Sequence, residues 1–213
     1  MTLRIIPVDP RDPSDRGIEE AAVLLGKGCI IAYPTETFYG LAVDGTNEAA
    51  LEKVFDVKGR DSRTPVSLII GDRSDLDGLV RSVPEAGRRI ADAFWPGGVT
   101  ILFEASSTVS EKLTGGTGKI GIRLSSDILA TGLARRLGRP LTATSANRTG
   151  EAECCTAEEV VAALGDRLDA VLDGGATPGP PGSTIIDVTV EPPRVLREGV
   201  VTTDRLMAVL AQE

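Results

Sequence analysis

The feature that most constrains this chain is a recurrence of short apolar runs, each separated from the next by a helical pattern or a polar loop. The runs at 29–32, 66–70, 99–103, 120–124 and 141–144 read as strands buried in a sheet. Ahead of the first, residues 14–26 place Ile18, Ala21, Ala22 and Leu25 on one helical face and end in Gly26-Lys27-Gly28. Asn47 predicts the cap of a second helix, with Leu51, Val54, Phe55 and Lys58 on one face and Lys58 near its C-terminal end. Residues 84–94 read as a helix stopped by Trp95-Pro96-Gly97-Gly98, with Trp95 a core aromatic, and 127–137 as an amphipathic helix. Thr156-Ala157-Glu158-Glu159 is a capping box. Short strands at 170–172, 184–188 and 195–197 and a helix at 203–210 complete the pattern. The loop 174–182 between two of these strands, rich in glycine and proline, is a flexible lid or a plain connection. Some strands follow one another with no helix between them. The expectation is therefore an α/β fold, a single domain on a twisted sheet of mixed direction with flanking helices.

At 213 residues with 41% apolar content, the chain can fill a sizeable core. Its 23 Lys and Arg against 31 Asp and Glu give a net charge of −8, which repels phosphate backbones over most of the surface. Any site for a nucleotide or nucleic acid must then be a local basic cleft. Cys29, Cys154 and Cys155 have neither disulfide-framework nor zinc spacing, which fits a reducing, cytoplasmic setting. No histidine is present, so Ser-His-Asp and Cys-His catalysis are excluded. The N-terminus lacks an apolar signal segment, and no stretch approaches the roughly 20 apolar residues that span a bilayer; no membrane partner is expected.

Polar residues collect just past strand ends: Thr35 and Thr37, Arg123, Ser145 and Asn147, Ser183 and Thr184, and Arg197. Ligands of open α/β sheets bind at such ends. With Lys58 and Arg60, four cations could converge with several hydroxyls on an anionic, polyphosphate-like ligand. Each piece also has a plainer reading. Thr-Glu-Thr can be a turn with local hydroxyl-to-backbone bonds, Lys58 and Arg60 a solvated face, and Arg123 or Arg197 the partner of a nearby carboxylate.

Taken in order, "YPTETFYGL" at 33–41, "KGR" at 58–60 followed by "TPVSLII", "WPGGVT" at 95–100, "IGIRL" at 120–124, "TSANRTG" at 144–150, "GSTIID" at 182–187 and "VLREG" at 195–199 resemble the YrdC-like family, the threonylcarbamoyl-AMP synthases. The resemblance implies a twisted α/β domain of DHBP-synthase type around a basic cavity, occupying 1–213 without the further C-terminal domain of longer members. It implies synthesis of threonylcarbamoyl-adenylate and pyrophosphate from L-threonine, bicarbonate and ATP, with Mg2+ accompanying the ATP. A tRNA-modifying transferase complex would accept the adenylate. The alternatives are a protein that binds tRNA or double-stranded RNA, and a divergent YciO-like paralogue without efficient synthase activity. By position, Thr37, Arg123, Ala143 and Ser183 would hold the threonine. Lys58, Arg60, Ser145, Asn147 and Arg197 would hold the ATP. No residue is assigned a covalent catalytic role and no metal cage is expected. The chain departs from the family pattern at Thr64 and Ile69, where asparagine and histidine are common, at Lys119 for threonine, and at Glu153 for serine.

Overall fold

The structure, a computed structural model, describes residues 3–12 and 16–211. The chain runs through β1 (Arg4–Pro7), α1 (Arg16–Gly26), β2 (Ile31–Tyr33), β3 (Gly40–Ala42), α2 (Glu48–Lys58) and β4 (Ser67–Ile69). It continues through α3 (Leu76–Leu79), α4 (Glu85–Phe94), β5 (Val99–Glu104), α5 (Glu111–Thr114), β6 (Lys119–Arg123) and α6 (Ile128–Leu137). The last part is β7 (Leu141–Ser145), α7 (Ala157–Leu164), β8 (Ala170–Asp173), β9 (Thr184–Asp187), β10 (Arg194–Arg197) and α8 (Thr203–Leu210). Positions 14 and 15 of the first predicted helix lie outside the described residues.

The helix ends follow the capping chemistry. Asn47 Oδ1 accepts from Ala50 N at 3.1 Å to start α2, and Gly59, at φ 58°, closes it. Asp127 Oδ1 accepts from Leu129 N and Ala130 N at the start of α6, and Thr156 with Glu159 forms the capping box of α7. Trp95 ends α4, is buried, donates Nε1–H to Val99 O at 2.7 Å and meets Phe103 edge to face.

The strands form one mixed sheet in the order β1-β8-β2-β3-β7-β4-β6-β5-β9-β10, so the expected open sheet with flanking helices is present. The segment 33–41, which the sequence pattern leaves between the strand at 29–32 and the helix capped by Asn47, does not run directly from one to the other. Its last residues form β3, antiparallel to β2 with Tyr33 opposite Gly40, and β3 continues antiparallel to β7. Three buried residues are enough here because both edges of β3 are paired.

Side chains alternate across this sheet as pleating requires. Leu41, Leu68, Ile122 and Val171 enter an apolar cluster with α2, α4, α7 and α8. Ala42, Ile69, Ala170 and Leu172 enter a second cluster with α1 and α6 on the opposite face. Each such buried leucine, isoleucine or valine stabilises the fold by about 1.5–3 kcal/mol. Helices α1 and α6 shield only part of their face. Further along it, the positions alternate to the first cluster are Ser67, Thr100, Gly121 and Arg123, and no apolar layer covers them. A Cβ at Gly121 would lie 2.5 Å from Ser67 Oγ, so this stretch of the sheet is floored by small groups and hydroxyls. No helix among the described residues is long and apolar enough to cross a membrane.

Candidate active site

A cavity of about 690 Å³ opens over this uncovered part of the sheet. All nine positions that the resemblance assigns to threonine or ATP line it: Thr37, Arg123, Ala143 and Ser183, together with Lys58, Arg60, Ser145, Asn147 and Arg197. Lys58 is the last residue of α2, and the left-handed turn at Gly59 swings Arg60 toward the same space. Lys58 Nζ donates to Ser145 O at 2.6 Å, Asn147 O at 2.9 Å and Asn147 Oδ1 at 3.0 Å. Burial pushes its pKa down to about 8; the Arg60 charge adds to the shift and Glu153 opposes it.

The same bonds define Asn147. Its Oδ1 also accepts from Ser145 Oγ at 2.6 Å, and its Nδ2 donates to Glu151 O at 2.7 Å. Asn147 therefore clasps its own loop, and Lys58 holds that loop against α2. Arg60 lies across β7, donating to Thr144 Oγ1 at 3.3 Å and to Pro65 O at 3.2 Å. Arg197 grips Ser183 at both O (2.8 Å) and Oγ (3.1 Å), and Ser183 Oγ lies 3.1 Å from Thr100 Oγ1. Burial lowers the pKa of both arginines, and the nearby Arg123 lowers that of Arg197 further. Like charges held this close favour an anion beside them. The carboxylates of the lining, Asp61, Glu151 and Glu153, belong to exposed residues, and Asp61 is paired with Arg63 at 2.7 Å.

The plainer reading of Thr-Glu-Thr, a local turn, is what the hydrogen bonds show. Thr35 Oγ1 donates to Phe38 O at 2.7 Å and accepts from Thr37 N at 3.2 Å, a local turn, and the turn itself forms cavity wall. The loop 174–182 is tied to this wall: Tyr39 Oη donates to Gly175 O at 2.7 Å, and Gly179 N donates to Thr37 O at 2.8 Å. Thr184 does not line the cavity; its Oγ1 donates to Val201 O and accepts from Gly199 N, closing the β9 end over the following turn. Of the four departures, Thr64 and Glu153 line the cavity. Lys119 is bonded to Asp187 at 2.7 Å, and Ile69 is fully buried in the cluster under α1 and α6.

Sequence reasoning missed Ser67, Thr100 and Thr144, which add hydroxyls to the lining. Their only signal was a lone hydroxyl residue inside, or at the end of, an apolar strand. Among the described residues, no group of three or more His, Cys, Asp or Glu side chains could hold a metal ion.

An open mixed sheet with a cavity of cations and hydroxyls at its strand ends defines an α/β protein with a pocket suited to small anionic ligands. The chain belongs to the Sua5/YciO/YrdC family, whose model, described as telomere recombination, matches residues 23–199. It is 34% identical over 203 residues to the threonylcarbamoyl-AMP synthase of Bacillus subtilis, covering 95% of this chain and 59% of that one. It is 33% identical over 184 residues to the threonylcarbamoyl-AMP synthase of Vibrio vulnificus, covering 85% of this chain and 98% of that one. The crystal structure of Pyrococcus abyssi Sua5 complexed with L-threonine matches with a TM-score of 0.92 at 32% identity, over 97% of this chain and 61% of that one. The chain thus spans about three fifths of the length of the B. subtilis and P. abyssi proteins.

Proposed function

We propose that this protein is a nucleotidyltransferase that makes threonylcarbamoyl-AMP and pyrophosphate from L-threonine, bicarbonate and ATP. The observation that carries this reading is the convergence of Lys58, Arg60, Arg123 and Arg197 with Thr37, Ala143, Ser145, Asn147 and Ser183 on one cavity. The activity named for the B. subtilis and V. vulnificus relatives, and the complex of P. abyssi Sua5 with L-threonine, support it.

In this reading Arg123 takes the threonine carboxylate with its guanidinium fork, while Thr37, the Ala143 backbone and Ser183 fix the rest of the amino acid. The threonine amine and bicarbonate combine to a carbamate with loss of water. A carbamate oxygen then displaces pyrophosphate from the α-phosphorus. Lys58, Arg60 and Arg197 offset the phosphate charge, and Ser145 with the Asn147 loop positions the nucleotide. Such a displacement is served by orientation and fixed positive charge and needs neither histidine nor a protein nucleophile. Magnesium bound to the ATP would neutralise phosphate oxygens, with no residue of this chain assigned to hold it. The labile adenylate would pass to a tRNA-modifying transferase complex.

The test is pyrophosphate release from magnesium-ATP and bicarbonate, with L-threonine, with L-serine and with neither, read alongside mass spectrometry. Threonine-dependent release together with the adenylate mass is expected. ATP binding without stimulation by any amino acid would overturn the reading.

A further inference from the structure

Glu36, the centre of Thr35-Glu36-Thr37, is absent from the cavity lining although both of its neighbours are present. Its carboxylate lies behind the wall, with Oε1 3.3 Å from Arg123 Nε and both side chains largely buried. The other oxygen, Oε2, accepts from Ser125 Oγ. Ser125 Oγ itself accepts from Asp127 N at 3.1 Å, so its proton is directed to Glu36.

Glu36 Oε1 and Arg123 Nε are both buried, and neither makes an aligned hydrogen bond. Charge alone holds that edge of the guanidinium. No other ion pair of Arg123 occurs among the described residues, and its side chain lines the cavity. A guanidinium is planar: fixing its Nε edge from behind fixes the direction of its two terminal nitrogens. A buried cation with incomplete partners is costly, and a carboxylate arriving from the cavity would complete the set.

We propose that Glu36 is the positioning residue for Arg123, anchored by Ser125, and that it presents the fork of Arg123 to the carboxylate of the amino-acid substrate. This deepens the proposed function and rests on it. Glutamine at position 36 removes the charge that holds Nε while keeping the size of the side chain. Its single oxygen can serve Ser125 or Arg123 but not both, so the guanidinium loses its fixed orientation while the side chain keeps its shape.

The experiment measures KM for L-threonine, KM for ATP and kcat in the unaltered protein, E36Q, S125A, R123A and the double variant E36Q/R123A. The expected result for E36Q is a rise of about tenfold in the threonine KM, with the ATP KM and kcat changed by less than about twofold. S125A, which leaves the carboxylate in place, shifts the threonine KM in the same direction by less and keeps the test open if E36Q fails to fold. The double variant should match R123A, because a residue acting through Arg123 has nothing to add once Arg123 is gone. An additive double variant, an unchanged threonine KM, or an equal fall in both KM values would overturn the positioning role, the last by showing charge alone at work. Absence of any threonine dependence in the unaltered protein would instead overturn the proposed function, and this role with it.

Discussion

Lys58 shows how one residue ties the fold to the site. Burial, then Arg60, holds its amine at a pKa of about 8, against 10.5 in the unfolded chain. Between those values the unfolded chain keeps a proton that the folded chain has released, so this group's contribution to stability rises with pH across that window. Binding runs the other way, since a neutral amine attracts no phosphate. The expected outcome is a kcat/KM for ATP that falls above about pH 8, because that ratio reports the free enzyme. A pH–rate profile checks it; a ratio level through that window would contradict the placement of Lys58 beside the phosphates.

At the scale of elements, α2 and the turn after β10 carry the site. Asn47→Ala removes the side-chain acceptor for Ala50 N and should cost about 1 kcal/mol, read as a lower urea midpoint at unchanged slope. Gly199→Ala should cost more, because its Cβ would lie 2.0 Å from Gly182 O and two backbones would have to part beside Ser183. Equal midpoints for the two variants would count against that packing. The same scale shows what was legible in the sequence. Elements announced by a cap or a long periodic face are the legible ones: α6 falls within a residue of its expected range, and α2 and α7 start at their expected caps. β3 was missed because three buried residues carry no period of their own, and β1 because three of its four side chains are not buried. The strand-end residues could be read as a site because each ends a recognisable run. Ser67 and Thr100 could not, because their exposure to the cavity depends on where α1 and α6 stop covering the sheet, a long-range fact. The role of Glu36 was equally hidden, because its partner Arg123 lies four strands further along the chain and only the folded sheet brings the two together.

For the whole molecule, a net charge of −8 surrounds a cavity with four inward cations, so a small polyanion is favoured there and a long one meets repulsion beyond the rim. Ligand binding should therefore appear as global stabilisation, about 2.7 kcal/mol at a hundred times Kd. Arg60→Ala should leave the unliganded Tm nearly unchanged and abolish the rise that magnesium-ATP produces, which a thermal-shift titration reads directly. A full nucleotide-dependent rise in that variant would remove Arg60 from the site.

The sheet order also bears on how the protein is made. β1 waits for β8 as its neighbour, β5 for β9, and Ser183 for the grip of Arg197, so segments from both ends of the chain must meet before the cavity has its walls. Pairings this distant form late. A nascent chain emerging from a ribosome carries Thr35 and Lys58 long before Arg197, and every product that stops short of Arg197 lacks part of the cation set. On the proposed function, the full cation set for a nucleotide would exist only once Arg197 has been synthesised, and a copy that stops short of it would hold ATP less well.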